Sequence, residues 1–309
     1  PGTPRIALVF GERLPSVGAV RDLVAEPEFR RALERGAQAA GSILDCDMLP
    51  ALLAPPEPKC RTLNAVDAQK PWLEFPQTSA VLIHYALHAT FERWGVTPSA
   101  AYGCGVGEYS AACAAGVLDW LDALRLCARR ELLLGSLVPG GRVRQTLHQF
   151  KSALSQIGYE SPNLPLIAAS IDGEPRGTLD RAHWLEHLYA RTEPLRGVAA
   201  LRRLSPDLYL DLGPANPAAI SGMPERNWLA CATPEGSTPA HLLQVLAALY
   251  EHGADMDFRA FHDGFEHPRL DLPSYPFQRQ RCWLEFNRPH PPAHPPRGFH
   301  PFLGSKSSA

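Results

Sequence analysis

Ala100-Ala101-Tyr102-Gly103 is a short apolar run that meets a glycine-rich turn, Gly103-Cys104-Gly105-Val106-Gly107. Glu108–Ala115 (EYSAACAA) follows, built mainly of small side chains. Strand, sharp turn and small-residue helix come in the order of a G-x-S-x-G nucleophile elbow, where a strained turn lifts the central side chain above a sheet. In such an elbow the amide of the next residue, here Val106, helps to form an oxyanion hole at the helix N-terminus. The central position of this turn is Gly105, which has no side chain. Nothing at that spot can attack a carbonyl. A phosphate-binding reading of Gly103-x-Gly105-x-Gly107 also fails, because the third residue after Gly105 is the acidic Glu108 rather than a glycine.

Outward from the elbow, strand-like and helical segments alternate. Arg5–Phe10 (RIALVF) is an apolar run closed by Gly11 and predicts a buried strand. Val20–Ala40 predicts a helix with Leu23, Phe29 and Leu33 on one face, and the four prolines of Pro50–Pro58 exclude regular structure. Pro76 opens an amphipathic helix over Thr78–Arg93. Asp119–Leu134 and Val143–Ile157 are helical, Leu164–Ile171 is a strand, and Trp184–Leu204 is mostly helical. Asp207–Leu212 and Asn227–Ala232 predict two more strands, and His241–His252 a last helix. Such alternation predicts an α/β fold with a mostly parallel sheet covered on both faces.

The 309 residues carry 30 basic and 32 acidic side chains, a formal net charge of −2. No single-sign field is present to hold nucleic acid or an anionic membrane. Hydrophobic residues at 45% and charged residues at 20% place the chain among globular proteins rather than disordered ones. No apolar run is long enough to span a bilayer. The seven cysteines (Cys46, Cys60, Cys104, Cys113, Cys127, Cys231, Cys282) are odd in number and show no C-x-x-C spacing. This predicts free thiols in a reducing cytoplasm, with no structural zinc and no cofactor. His84 and His88 stand four apart on one helix, but without H-E-x-x-H or a third ligand they predict a helix face, not a metal site. The chain opens at Pro1 and reads as a piece of a longer polypeptide.

Beyond the elbow, Gly103–Arg130 (GCGVGEYSAACAAGVLDWLDALRLCARR) resembles the active-site elbow of the malonyl- and acyltransferase domains of polyketide and fatty acid synthases. Asp271–Glu285 (DLPSYPFQRQRCWLE) resembles the linker that follows acyltransferase domains in modular type I polyketide synthases. Leu166–Pro175 and Leu208–Pro217 fit the same pattern in the same order, so the similarity runs from Arg5 to Glu285. His300-Pro301-Phe302-Leu303-Gly304 resembles the opening of a dehydratase-type domain. The resemblance implies three parts: an acyltransferase-like α/β domain over residues 5–260, a post-acyltransferase linker over 261–287, and over 288–309 a Pro-rich linker with the edge of the next domain. It further implies that Tyr275, Pro276, Phe277, Gln278, Arg279 and Trp283 pack against a ketosynthase.

The departures from that pattern carry the functional expectation. The family's elbow reads G-H-S-x-G-E, and here its Ser is Gly105 and its His is Cys104. The family's Gly-Gln-Gly turn after the first strand is rewritten as Phe10-Gly11-Glu12-Arg13-Leu14. Family members place a ferredoxin-like small subdomain, which delivers the catalytic His, after an Arg-bearing helix. Here Arg130 is followed within a few residues by Val138-Pro139-Gly140-Gly141, so an α/β-hydrolase-like large subdomain is expected without the small one. His148 does not match the catalytic His position. Arg130 falls where the family grips a free carboxylate; a surface or ion-paired role is the competing reading. Cys104, Gly105 and Val106 would then be a vestigial elbow, with Glu108 capping or pairing locally. The expectation is a catalytically silent spacer, or a docking surface for ketosynthase, acyl carrier protein or a trans-acting acyltransferase. The alternative is an acyltransferase or thioester hydrolase with a non-standard nucleophile such as Cys104, whose thiol would need a base to ionise.

Overall fold

Every residue of β1 (Ile6–Phe10) is buried, and its side chains alternate between two cores. Ile6, Leu8 and Phe10 face one side of the sheet, Ala7 and Val9 the other, as the two-residue period of a strand requires. In this computed structural model, which describes residues 2–13, 20–53, 75–170, 177, 179–213, 227–231, 237–265, 271–278, 299–300 and 304–305, β1 is the central strand. β2 (Pro98–Gly103), β3 (Leu166–Ala168), β4 (Leu208–Asp211) and β5 (Trp228–Ala230) complete a sheet of order β3-β2-β1-β4-β5. All pairings are parallel. The strand order reverses around β1, and a crevice at the carboxyl ends of the strands beside such a reversal is where open α/β sheets bind ligands. Phe10 is in register with Gly103, so the turns leaving β1 and β2 end side by side there.

Helices α1 (Pro27–Leu44), α2 (Leu49–Leu53), α3 (Pro76–Arg93), α4 (Gly107–Ala114) and α5 (Trp120–Gly135) belong to the first core. α6 (Val143–Leu154) and α7 (Arg181–Glu186) add Phe150, Leu154 and Trp184 to it. α8 (Pro194–Arg203) covers the opposite face, where Gly197 lies so close to the Tyr102 ring that a Cβ would overlap it. α9 (Pro239–Glu251) and α10 (Phe258–His262) follow β5. α5 passes to α6 through residues 136–142 alone, and the described part of Pro1–Phe265 holds no second sheet. No helix among the described residues is long and apolar enough to cross a membrane.

Several sequence expectations need correction. The helix expected over Val20–Ala40 is a 3-10 turn, Arg21–Ala25, and then α1, because Pro27 starts a new helix at its first turn. Pro50 lies inside the short α2, in the first turn, where its missing N–H has no helical partner to lose. The rest of the Pro50–Pro58 run lies outside the described residues. α3 is not amphipathic; it is buried nearly all round from Thr78 to Phe91. Trp184–Leu204 is two helices, α7 and α8, because the intervening chain returns to the sheet, where Glu193 N–H donates to Ala169 C=O at 2.8 Å.

The chain divides into two units, Pro1–Phe265 and Glu266–Ala309. In the second, residues 271–278 are irregular and exposed, with Tyr275 and Phe277 packed edge to face at 5.2 Å. Pro276 and Gln278 are exposed too, while Arg279 and Trp283 lie outside the described residues. Phe299–His300 (β6) and Gly304–Ser305 (β7) form a short antiparallel pair.

Candidate functional site

The turn after β2 has elbow geometry. Gly107 N–H donates to Cys104 C=O at 2.9 Å and Glu108 N–H to Gly105 C=O at 3.1 Å, so α4 starts immediately. Cys104 N–H donates to Phe10 C=O at 3.0 Å, tying the turn to the end of β1. Gly107 sits so near Phe10 C=O that any side chain would collide with it. Gly105 has φ +54°, the left-handed conformation that a glycine adopts freely and other residues adopt at a cost.

The space above Gly105 is occupied by the exposed side chain of Glu12, two residues past the end of β1. A Cβ built on Gly105 would overlap Oε2 of Glu12 and lie 3.0 Å from its Cβ. Glu12 lies in the turn that follows β1, and its carboxyl group stands where a side chain at position 105 would project. No side-chain atom stands on Gly105, and the Glu12 carboxyl group lies across it.

Below the turn is a polar cluster built around a buried carboxyl group. Glu108 is fully buried; Oε1 accepts from Ser170 N–H and Oε2 from Ser170 Oγ, both at 2.6 Å. His183 Nε2 and His187 Nε2, from α7 and the residue after it, approach Oε2 to 3.4 Å and 3.6 Å. His187 Nε2 donates to Gly105 C=O at 3.0 Å, which leaves its buried Nδ1 with no partner. Burial pushes the His187 imidazole down to about 4 against the pull of Glu108, so the ring is neutral near pH 7. Tyr109 stacks on Trp184 at 4.3 Å and meets the His187 ring edge to face at 5.5 Å. The expected local cap or pair for Glu108 is therefore corrected: it bonds to a residue 62 positions away. The sequence reading missed Glu12, Ser170, His183 and His187. The signal available was slight: an acid in the rewritten turn, and two histidines four apart.

The other sequence candidates are placed as follows. Cys104 is buried, and burial together with the charge of Glu12 pushes its thiol up to about 12. It is held as an uncharged thiol at neutral pH. Val106 is buried at the start of α4. Arg130 is half-buried, with Nη1 donating to Gln77 Oε1 and a buried Nε that has no partner. The neighbouring Glu131 accepts from Gln77 N–H at 2.7 Å and Thr78 N–H at 2.9 Å, capping α3 from α5. His84 and His88 are buried rather than displayed on a helix face, and His84 Nδ1 lies 2.9 Å from Ser110 Oγ in the core. Among the described residues, no group of three His, Cys, Asp or Glu side chains is arranged to hold a metal ion. His148 is exposed on α6.

No protein-family model matches the chain. Among curated proteins it is similar to the chalcone synthase cfoA of Aspergillus candidus, 24% identical over 366 positions. It is also similar to the PKS-NRPS hybrid synthetase acdB of the same organism, 22% identical over 361 positions. These matches take in 92% and 90% of the chain but only 12% and 14% of the relatives' lengths. Both alignments are longer than the 309-residue chain, so the relatives carry segments with no counterpart here. Among solved structures, the acyltransferase domain of ZmaA superposes with a TM-score of 0.69 at 18% identity, covering 87% of this chain and 80% of that one. A malonyl-transacylase solved with its type II PKS acyl-carrier protein superposes at 0.58 and 17%, covering 80% and 99%. The chain thus has the α/β fold of acyltransferase domains, and its relatives in sequence include polyketide synthases.

Proposed function

We propose that this chain is an acyltransferase-like domain of a modular polyketide synthase that performs no acyl transfer and serves as a spacer or docking element. The observation that carries this reading is Gly105 at the elbow with the Glu12 carboxylate lying over it. Covalent acyl transfer needs an activated nucleophile within reach of a base. Here the elbow offers none, and the nearest imidazole donates to the elbow's own backbone. Arg130 falls at the position of the resembled family's carboxylate clamp, and its Nη1 donates to Gln77. The direct passage from α5 to α6 leaves, among the described residues, no small subdomain between these helices to close over an acyl pocket. A retained fold then serves its neighbours: the ketosynthase, approached through the post-acyltransferase linker that includes Tyr275 and Phe277, and an acyl carrier protein or a trans-acting acyltransferase.

Incubation with labelled malonyl-coenzyme A followed by intact-mass measurement tests this reading. The expected result is an unchanged mass. A stoichiometric adduct that disappears in Cys104→Ala would overturn the proposal in favour of a displaced thiol nucleophile.

A further inference from the structure

Between Glu131 and Glu160 the chain contains no Asp or Glu, although the protein as a whole is slightly acidic. Within that interval α6 carries Arg144, His148 and Lys151 at exposed positions, spaced four and three apart, and Arg142 precedes it. Spacings of three and four place side chains on one side of a helix, so Arg144, His148 and Lys151 form a single stripe about 10 Å long. The apolar side of the same helix, with Phe150 and Leu154, faces the core. No carboxylate of the described residues pairs with Arg142, Arg144 or Lys151. Immediately before the helix, Leu137 and Val138 are 61% and 58% exposed on a turn closed by Gly141 N–H to Val138 C=O at 2.9 Å.

This arrangement costs the helix something. α6 begins without a side-chain cap and without an acid in its first turn, and Arg142 and Arg144 stand at its positive end. Cations there oppose the helix dipole. Nothing within the described residues offsets that cost, whereas an acidic partner would. An apolar pair beside unpaired charges also has the make-up of an interface, where apolar contact supplies affinity and charge supplies steering and register.

We infer that the Arg142–Lys151 side of α6, together with Leu137 and Val138, is the docking surface for a carrier protein that presents an acidic helix. This inference rests on the docking form of the proposed function and assigns it a place. The surface lies where α5 passes directly into α6, the point at which the resembled family inserts its small subdomain.

The test is calorimetric titration of the 309-residue chain with an unloaded acyl carrier protein at several salt concentrations. Binding is expected, and it weakens as salt screens the charges. Arg144→Glu combined with Lys151→Glu weakens it about tenfold or more by replacing attraction with repulsion. Leu137→Ser with Val138→Ser weakens it without changing the salt dependence. Arg30→Glu with Arg35→Glu, an equal charge change on α1, leaves it unaltered. Circular dichroism confirms that each variant is folded. Should the wild-type chain bind and the α6 reversal match the α1 control, the surface is wrong while the docking role stands. Should the wild-type chain bind no carrier protein at high concentration, the docking role itself falls, and the surface with it.

Discussion

Gly105 holds two constraints at once: a left-handed backbone and a neighbouring carboxylate where its Cβ would be. Gly105→Ser is expected to destabilise the fold by about 1–2 kcal/mol from the backbone conformation alone, with a further cost from displacing Glu12. Combining it with Glu12→Ala recovers the contact part and leaves the backbone part, so the double variant lies between wild type and Gly105→Ser. Urea denaturation of the three proteins reads this order; equal stability of Gly105→Ser and wild type would mean that the turn is not held as described. The bare position at 105 was legible in the sequence, because a glycine has no side chain wherever it sits. Glu12 was not, because it reaches Gly105 only through the register that ends β1 and β2 side by side. Ser170, His183 and His187 escaped for the same reason: Glu108 collects them from distant parts of the chain.

At the scale of elements, periodicity located the helices and strands of the first core closely but misjudged where they break and which are buried. α3 carries two histidines, two threonines and a serine among its apolar residues, a mixture that reads as two-faced in sequence. It is buried instead because α1, α5 and the sheet enclose it; Thr90 donates to Ala86 C=O and His84 meets Ser110 across the core, while Ser79 Oγ and His88 Nδ1 are buried without a hydrogen-bond partner. α5 was easier to read because its cap is written beside it. Asp119 accepts from Leu121 N–H at 2.8 Å and Asp122 N–H at 3.2 Å. Asp119→Ala is expected to cost about 1 kcal/mol through loss of these bonds, seen as a lowered thermal midpoint. Asp119→Asn is expected to retain most of the stability, which separates capping from charge.

For the whole molecule, buried imidazoles set the response to acid. Burial pushes His84 down to about 3, and His88 and His187 down to about 4, from an ordinary value near 6.5. The unfolded chain therefore takes up protons first as pH falls, so stability declines between about pH 6.5 and 4 and flattens near pH 3. Glu26 works the other way: half-buried and raised to about 7, it favours the folded state at low pH and loses that contribution as pH rises from about 4.5 to 7. Glu92 and Glu131, also raised by burial, act in the same direction as Glu26, and the three histidines outweigh these carboxyls because their rings are almost wholly removed from water. Denaturant midpoints measured from pH 7 to pH 4 should fall; a flat profile would show these rings to be hydrated.

The Glu131 carboxylate links two helices in time as well as in space. It supplies the first-turn acceptors of α3 from a position 53 residues later, and the sequence offers α3 no side-chain cap of its own. A nascent α3 emerging before α5 would leave those amide protons to water and fray. Its ordering must await synthesis and docking of α5, so the two assemble cooperatively rather than in the order in which they are made.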